Sequence, residues 1–127
     1  MFKLLVILLV AINVSFAQGN FKKFDIVEIK SEGKQGNKKK QDVKYGIVLS
    51  SDSYNTGSKY LIIIPMINKK KDYKGAFVYN FKNGSKEYTV FTDKPRSLEK
   101  SRAVKSSLML KDGEKKEILS KFNDILN

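Results

Sequence analysis

Apolar and polar positions alternate in short runs along most of the chain. Phe24–Ile29 (FDIVEI) predicts an opening strand. Two apolar β-branched runs, Ile47–Leu49 and Leu61–Ile64, predict buried strands, and the polar segment Ser50–Ser58 between them predicts a surface loop. Pro65 follows the second run, and because proline cannot donate to a strand ladder we expect it to end that strand at a sheet edge.

Two further alternating runs predict a β-hairpin. They are Ala76–Phe81 and Glu87–Thr92, and the Asn83-Gly84 pair between them is a strong two-residue turn signal. The alternation puts three aromatic side chains on one face, those of Phe77, Tyr79 and Phe81. Such a stripe can stack nucleic-acid bases, but it more often fills a core, and we favour the core.

The C-terminal segment has helical periodicity. Asp112 can cap the start of a helix, and Glu114 falls in its first turn. The apolar positions that recur at helical spacing are Ile118, Leu119, Phe122, Ile125 and Leu126. About five short strands followed by one helix predict a mainly β fold with a C-terminal α-helix, built as a small and strongly bent barrel.

The first 17 residues have the form of a secretory signal peptide. A short basic start, MFK, precedes the apolar run Leu4–Val14, and Ser15–Ala17 places small residues before a possible cleavage site. The run is shorter than the roughly 20 apolar residues of a membrane span, so we expect no stable membrane anchor. A buried first strand and a wrongly chosen start codon are the alternatives. We expect a signal at 1–17 and a barrel domain at 21–127, secreted or periplasmic if the signal is genuine and cytoplasmic otherwise.

Composition limits the chemistry of the chain more than its fold. Its 127 residues suit one domain, and they include no cysteine and no histidine. Disulfides, thiolate metal sites and histidine-dependent catalysis are therefore excluded. We expect no metal and no cofactor.

The formal net charge of +12 favours acidic partners. Two lysine-rich polar segments, Ser31–Asp42 and Asn68–Lys74, fall between predicted strands and could flank one groove. A solvated lysine-rich surface explains the same charge, so charge alone leaves three partners open: nucleic acid (RNA or DNA), an acidic lipid surface and an acidic protein.

Several segments, in order along the chain, resemble one family. They are FDIVEI, GIVLSSDSYNTG, LIIIPM, DKPRSLEKSR and the closing amphipathic helix. Together they resemble the MazF/PemK family of type II toxin–antitoxin toxins, which are small SH3-like barrels that share a fold with the gyrase poison CcdB. The resemblance implies a homodimer, an acidic antitoxin or other protein partner, and metal-independent endoribonuclease cleavage of single-stranded RNA.

The resemblance also indicates three departures from the family's reaction. The family's phosphate-binding arginine at the start of the second strand corresponds to Lys44, and its threonine or serine at the end of the third strand corresponds to Ile67. A glutamate that some members carry five residues before the arginine corresponds to Lys39. Lysine keeps the positive charge but lacks the guanidinium fork that donates two parallel hydrogen bonds.

Two hypotheses follow for the reaction. Either Lys44 remains the catalytic residue, with Ser50, Asn68 or Asp42 standing in for missing groups, or the barrel has lost the reaction and kept a binding surface. That surface would bind RNA, DNA or a protein, and the alternative to nucleic-acid binding is a catalytically inactive, exported binding module for an acidic protein partner. The candidate nucleic-acid-binding residues are Lys39, Lys40, Lys44, Ser50, Asn68, Lys69 and Arg96. For Arg96 a structural ion pair with Asp93 is the simpler role.

Overall fold

A computed structural model of the chain describes residues 20–30, 44–68 and 75–127. The strands in these ranges are β1 (Ile26–Ile29), β2 (Lys44–Val48), β3 (Tyr60–Ile67), β4 (Val78–Asn83), β5 (Lys86–Phe91), β6 (Arg96–Glu99) and β7 (Ala103–Lys105). The helical elements are α1 (Asp52–Gly57), a 3₁₀ turn (Lys100–Arg102) and α2 (Asp112–Leu126). The predicted signal at 1–17 and the lysine-rich segment at 31–42 lie outside the described residues.

The seven strands form one antiparallel sheet that bends into a barrel. The order is β4-β5-β3-β2-β1-β7, and β6 pairs with β3 beside β5. From β6 the chain passes through the 3₁₀ turn into β7, which pairs with β1. Strands β3, β2, β1, β7 and β6 therefore close a small barrel, and the β4–β5 hairpin extends from it. The predicted fold class, mainly β with a C-terminal helix, is confirmed.

Strand β3 connects the barrel and the hairpin because it changes partner along its length. Its first half pairs with β6 as far as Ile63, and its end pairs with β5 from Met66 onwards. Pro65 lies inside β3 opposite Gly46 of β2. The expectation that Pro65 ends a strand is wrong, because its missing N–H falls in the gap where neither β6 nor β5 pairs with β3.

The sheet has a buried cluster on each face. One consists of Phe21, Val27, Val48, Leu61, Ile63 and Leu98. The other consists of Ile26, Ile47, Leu49, Ile64, Met66, Phe81, Tyr88, Val90, Leu110 and Ile118. Consecutive residues such as Ile63 and Ile64 fall in different clusters because side chains alternate between the faces of a strand. Since Ile118 belongs to α2, this helix covers the second cluster.

The aromatic stripe of the hairpin belongs largely to this second core. Phe81 is buried and Tyr79 packs against the cluster, with their ring centroids 5.9 Å apart. The preference for a core role over base stacking is confirmed for these two rings. The hairpin turn is displaced by one residue from the predicted one, because Asn83 still pairs with Lys86 and the central residues are Gly84-Ser85. Gly84 has a φ of +69°, as the first central position of such a turn requires.

The helix ends also differ from the prediction. The predicted loop after β2 contains α1, where the Ser51 hydroxyl accepts a hydrogen bond from the Tyr54 N–H at 3.2 Å. Lys111 is the N-cap of α2 and Asp112 the first helical residue, and the Glu114 carboxylate accepts from the Lys111 N–H at 2.8 Å. Within the described ranges, no helix is long and apolar enough to cross a membrane.

Candidate nucleic-acid interface

Lys44 and Ile67 lie directly opposite each other on neighbouring strands. Lys44 is the first residue of β2 and Ile67 the last of β3, and Asn68 follows at once. Opposite residues in an antiparallel pair project from the same face, so the exposed lysine side chain lies beside an aliphatic one. The structure thus brings together three of the residues singled out from sequence.

Two further polar residues extend this pair across the sheet. Ile67 is opposite Thr89 of β5, and Thr89 is opposite Asn80 of β4. We call these four residues, Lys44, Ile67, Thr89 and Asn80, the Lys44 row. By strand alternation the row lies on the face opposite Met66 and the second core, so α2 does not cover it.

Thr89 and Asn80, the two members of the row that lie on the hairpin, are hydrogen-bonded to each other. Thr89 is fully buried, and its hydroxyl donates to Oδ1 of Asn80 at 2.7 Å, whereas Asn80 itself is exposed. Two positions before Thr89 on the same face, Glu87 places an oxygen 3.8 Å from Nζ of Lys82. A carboxylate there is chemically able to accept a proton from a ribose hydroxyl.

The residues of this face that sequence reasoning missed are Thr89, Asn80 and Glu87. The alternating pattern of the hairpin predicted their strands, and the turn signal roughly predicted that the two strands pair. No local signal places Thr89 beside Ile67, because that pairing joins residues distant in the chain.

Ser50 lies at the other end of β2 from Lys44, about 20 Å away at strand spacing. Its hydroxyl donates to Oδ1 of Asn55 and accepts from the Ile62 N–H, the latter at 3.1 Å. Asn55 is fully buried and its amide nitrogen donates to the carbonyls of Phe21 at 3.2 Å and Ser50 at 3.1 Å. Asn55 therefore holds the local chain in place, and Ser50 belongs to the same hydrogen-bond network.

Arg96 is also separated from the Lys44 row. It is the exposed first residue of β6 and pairs with Ile63, four residues before Ile67 on β3. The expected ion pair with Asp93 is wrong, since the Asp93 carboxylate lies 4.0 Å from Nζ of Lys94 instead. Adjacent charged groups compete for the same carboxylate on an exposed turn, and such pairs contribute little.

The remaining predicted residues, Lys39, Lys40, Lys69 and Asp42, lie outside the described residues. In the described part of the chain no group of acidic side chains could hold a metal ion. Burial, followed by the proximity of Tyr88 and Glu28, raises the pKa of Tyr45 above 10.0, so its phenol stays neutral. Tyr45 packs toward the core, and its phenol is therefore not part of the row.

The protein is thus a small bent barrel with a C-terminal helix, and the Lys44 row crosses one face of its sheet. The family model of PemK-like, MazF-like toxins of type II toxin–antitoxin systems matches residues 22–126, and the chain belongs to this family. A crystal structure of MazF (Form-I) from Deinococcus radiodurans is similar, with a TM-score of 0.63 and 21% identity over 84% of this chain and 96% of that chain. The comparison with curated proteins gave no match.

Proposed function

We propose that this chain binds single-stranded RNA across the Lys44 row and has lost the alignment needed for efficient cleavage. The pairing of Lys44 with Ile67 carries the proposal. In the family pattern these two places hold an arginine and a hydroxyl residue. Here they hold a lysine and a side chain with no polar atom.

The two replacements affect binding and chemistry differently. An ammonium group attracts phosphate as a point charge, so affinity for an RNA backbone persists. Cleavage through the ribose 2′-hydroxyl needs groups aimed at the phosphoryl oxygens, and Lys44 cannot supply two parallel donors. Ile67 supplies none. Misplacement of about 1 Å can cost a hundredfold in rate, so partial substitutes are inefficient.

Further lysines support the same surface by their place in the chain. Lys39 and Lys40 precede β2, and Lys69 follows Asn68, so we propose that they add phosphate contacts beside Lys44. Two other candidate residues, Ser50 and Arg96, lie away from the Lys44 row. They would contact RNA only if the RNA strand continued past the row.

The test is incubation of the purified protein with a long single-stranded RNA in the presence of chelator, beside the Lys44→Ala variant. The proposal predicts binding with little or no cleavage by the wild type, and weaker binding by the variant. Lys116→Ala, which removes an exposed lysine from α2, is the matched control. Rapid cleavage by the wild type that disappears in Lys44→Ala would show an active nuclease instead and contradict the loss of alignment.

The second candidate is binding of an acidic protein partner, and the net charge of +12 favours it. Members of this family typically bind antitoxins and dimerise, and we propose both for this chain. We also propose that residues 1–17 are removed on export. N-terminal sequencing of the natural protein tests export, and absence of RNA binding in the assay above would make the protein partner the leading function.

A further inference from the structure

We infer that Asn80, held by Thr89, reads a nucleobase of the bound RNA strand. This inference rests on the proposed RNA-binding function and assigns a specificity-determining residue to it. Asn80 lies at the opposite end of the Lys44 row from Lys44, three strand spacings or about 14 Å away. An RNA strand that places a phosphate at Lys44 and follows the row brings one of its bases to Asn80.

The hydrogen bond from Thr89 fixes which way the Asn80 amide faces. The Thr89 hydroxyl donates to Oδ1 at 2.7 Å, so Oδ1 points back to β5 and the NH₂ group points away from it. Thr89 is fully buried, and its β-branched side chain has few rotamers to choose from. The amide is therefore oriented before any ligand arrives, and orientation in advance reduces the entropy cost of binding.

The exposed amide retains both kinds of hydrogen-bonding capacity. Its NH₂ group has two donors, and Oδ1 has a second lone pair besides the one that accepts from Thr89. A donor and an acceptor side by side match the N7 and N6–H₂ groups of adenine. We therefore assign an adenine preference to this position. Unpaired bases of single-stranded RNA expose these edges to proteins.

The experiment measures binding of U-rich 12-nucleotide RNAs that carry one central adenine, cytosine or uracil. Wild-type protein is expected to bind the adenine RNA about 5- to 100-fold more tightly than the other two. Asn80→Ala should bring the three affinities together while the salt dependence stays unchanged, because no phosphate contact is lost. Lys82→Ala, which changes a neighbouring exposed residue of β4, should keep the adenine preference.

Two substitutions at Thr89 separate positioning from stability. Thr89→Val keeps the shape of the side chain and removes the hydroxyl, so it should reduce the adenine preference, whereas Thr89→Ser should retain it. Thermal unfolding of each variant is measured in parallel. A purely structural pair would lower the melting temperature of Thr89→Val without changing the ratio of affinities, and that result would overturn the inference.

Base preference and RNA binding are measured separately, so failure of one can be told from failure of the other. RNA binding by the wild type with no base preference, or with a preference that Asn80→Ala retains, overturns the inference and leaves the proposed function standing. No binding to any of the three RNAs overturns the proposed function itself, and the base-reading role falls with it.

Discussion

The Asn55→Ala substitution tests how the segment after β2 is held. Asn55 is fully buried in α1, and its amide nitrogen donates to the carbonyl oxygens of Phe21 at 3.2 Å and Ser50 at 3.1 Å. Its Oδ1 accepts from the Ser50 hydroxyl. Alanine removes all three side-chain hydrogen bonds. The bond from Lys100 Nζ to the backbone carbonyl of residue 55, at 2.6 Å, is unaffected.

The expected loss follows from those three contacts. A typical intramolecular hydrogen bond contributes about 1 kcal/mol net, and a buried group left without a partner costs roughly 1–3 kcal/mol. In the variant, water can replace the lost partner of the Ser50 hydroxyl and carbonyl, because these groups are only partly buried. The Phe21 carbonyl is buried and is less accessible to water. We therefore expect the free energy of unfolding to fall by about 3 kcal/mol, which for a domain of this size lowers the melting temperature by about 10 °C.

Urea unfolding followed by circular dichroism measures this change, with the slope m checked for constancy between proteins. Asn123→Ala is the matched control because Asn123 is an exposed residue of α2, and it should stay within about 0.5 kcal/mol of the wild type. A loss below about 1 kcal/mol in Asn55→Ala, similar to the control, would refute the view that this network fastens α1 to the barrel.

Three other predictions follow from particular contacts. The double variant Lys44→Arg/Ile67→Thr restores a guanidinium fork and a hydroxyl group at the two paired positions. It should cleave single-stranded RNA at least tenfold faster than the wild type in a gel assay. An unchanged cleavage rate would show that these two side chains do not limit the reaction. Gly46→Ala should destabilise the fold by about 1–3 kcal/mol in urea titration, because the new Cβ would lie 2.6 Å from Cδ1 of the buried Ile63; a stability equal to wild type would show that Ile63 yields freely. Because the pKa of Tyr45 is raised in the folded state, the Tyr45 phenol ionises at a lower pH in the unfolded state, so stability should fall as the pH rises above 10.0. The urea midpoint of Tyr45→Phe should fall less between pH 9 and 11 than that of the wild type. An equal fall in the two proteins would contradict this.

Strands β1 to β5 and α2 were predictable because their patterns are local, whereas the short strands β6 and β7 were not predicted. Alternation of apolar residues indicated each strand of the hairpin, and helical spacing located α2. The helix α1 was missed because its sequence, DSYNTG, has turn-forming residues and no apolar stripe. Its Ser51 cap is local, but the burial of Asn55 and the hydrogen bond from Asn55 to the Phe21 carbonyl are tertiary features. Pro65 was misplaced for the same kind of reason, since only the change of partner along β3 explains a proline within a strand.

The candidate site was predictable in part. The family resemblance identified Lys44 and Ile67 as the positions of interest, and the structure places them opposite each other. Nothing local to the hairpin indicated that Thr89 lies beside Ile67, because that contact is set by how β5 pairs with β3. The Asn80 side chain therefore entered the site only through the fold.

RNA binding across the Lys44 row requires that the Lys44 ammonium group contacts an RNA phosphate. Titration of a fluorescent single-stranded RNA against the wild type, Lys44→Ala and Lys116→Ala at several salt concentrations measures this contact. Loss of one phosphate contact should weaken binding of Lys44→Ala to all sequences and reduce the slope of log K against log salt by about 0.7, whereas Lys116→Ala stays near the wild type. Equal affinities and slopes for Lys44→Ala and the wild type would contradict RNA binding across the Lys44 row.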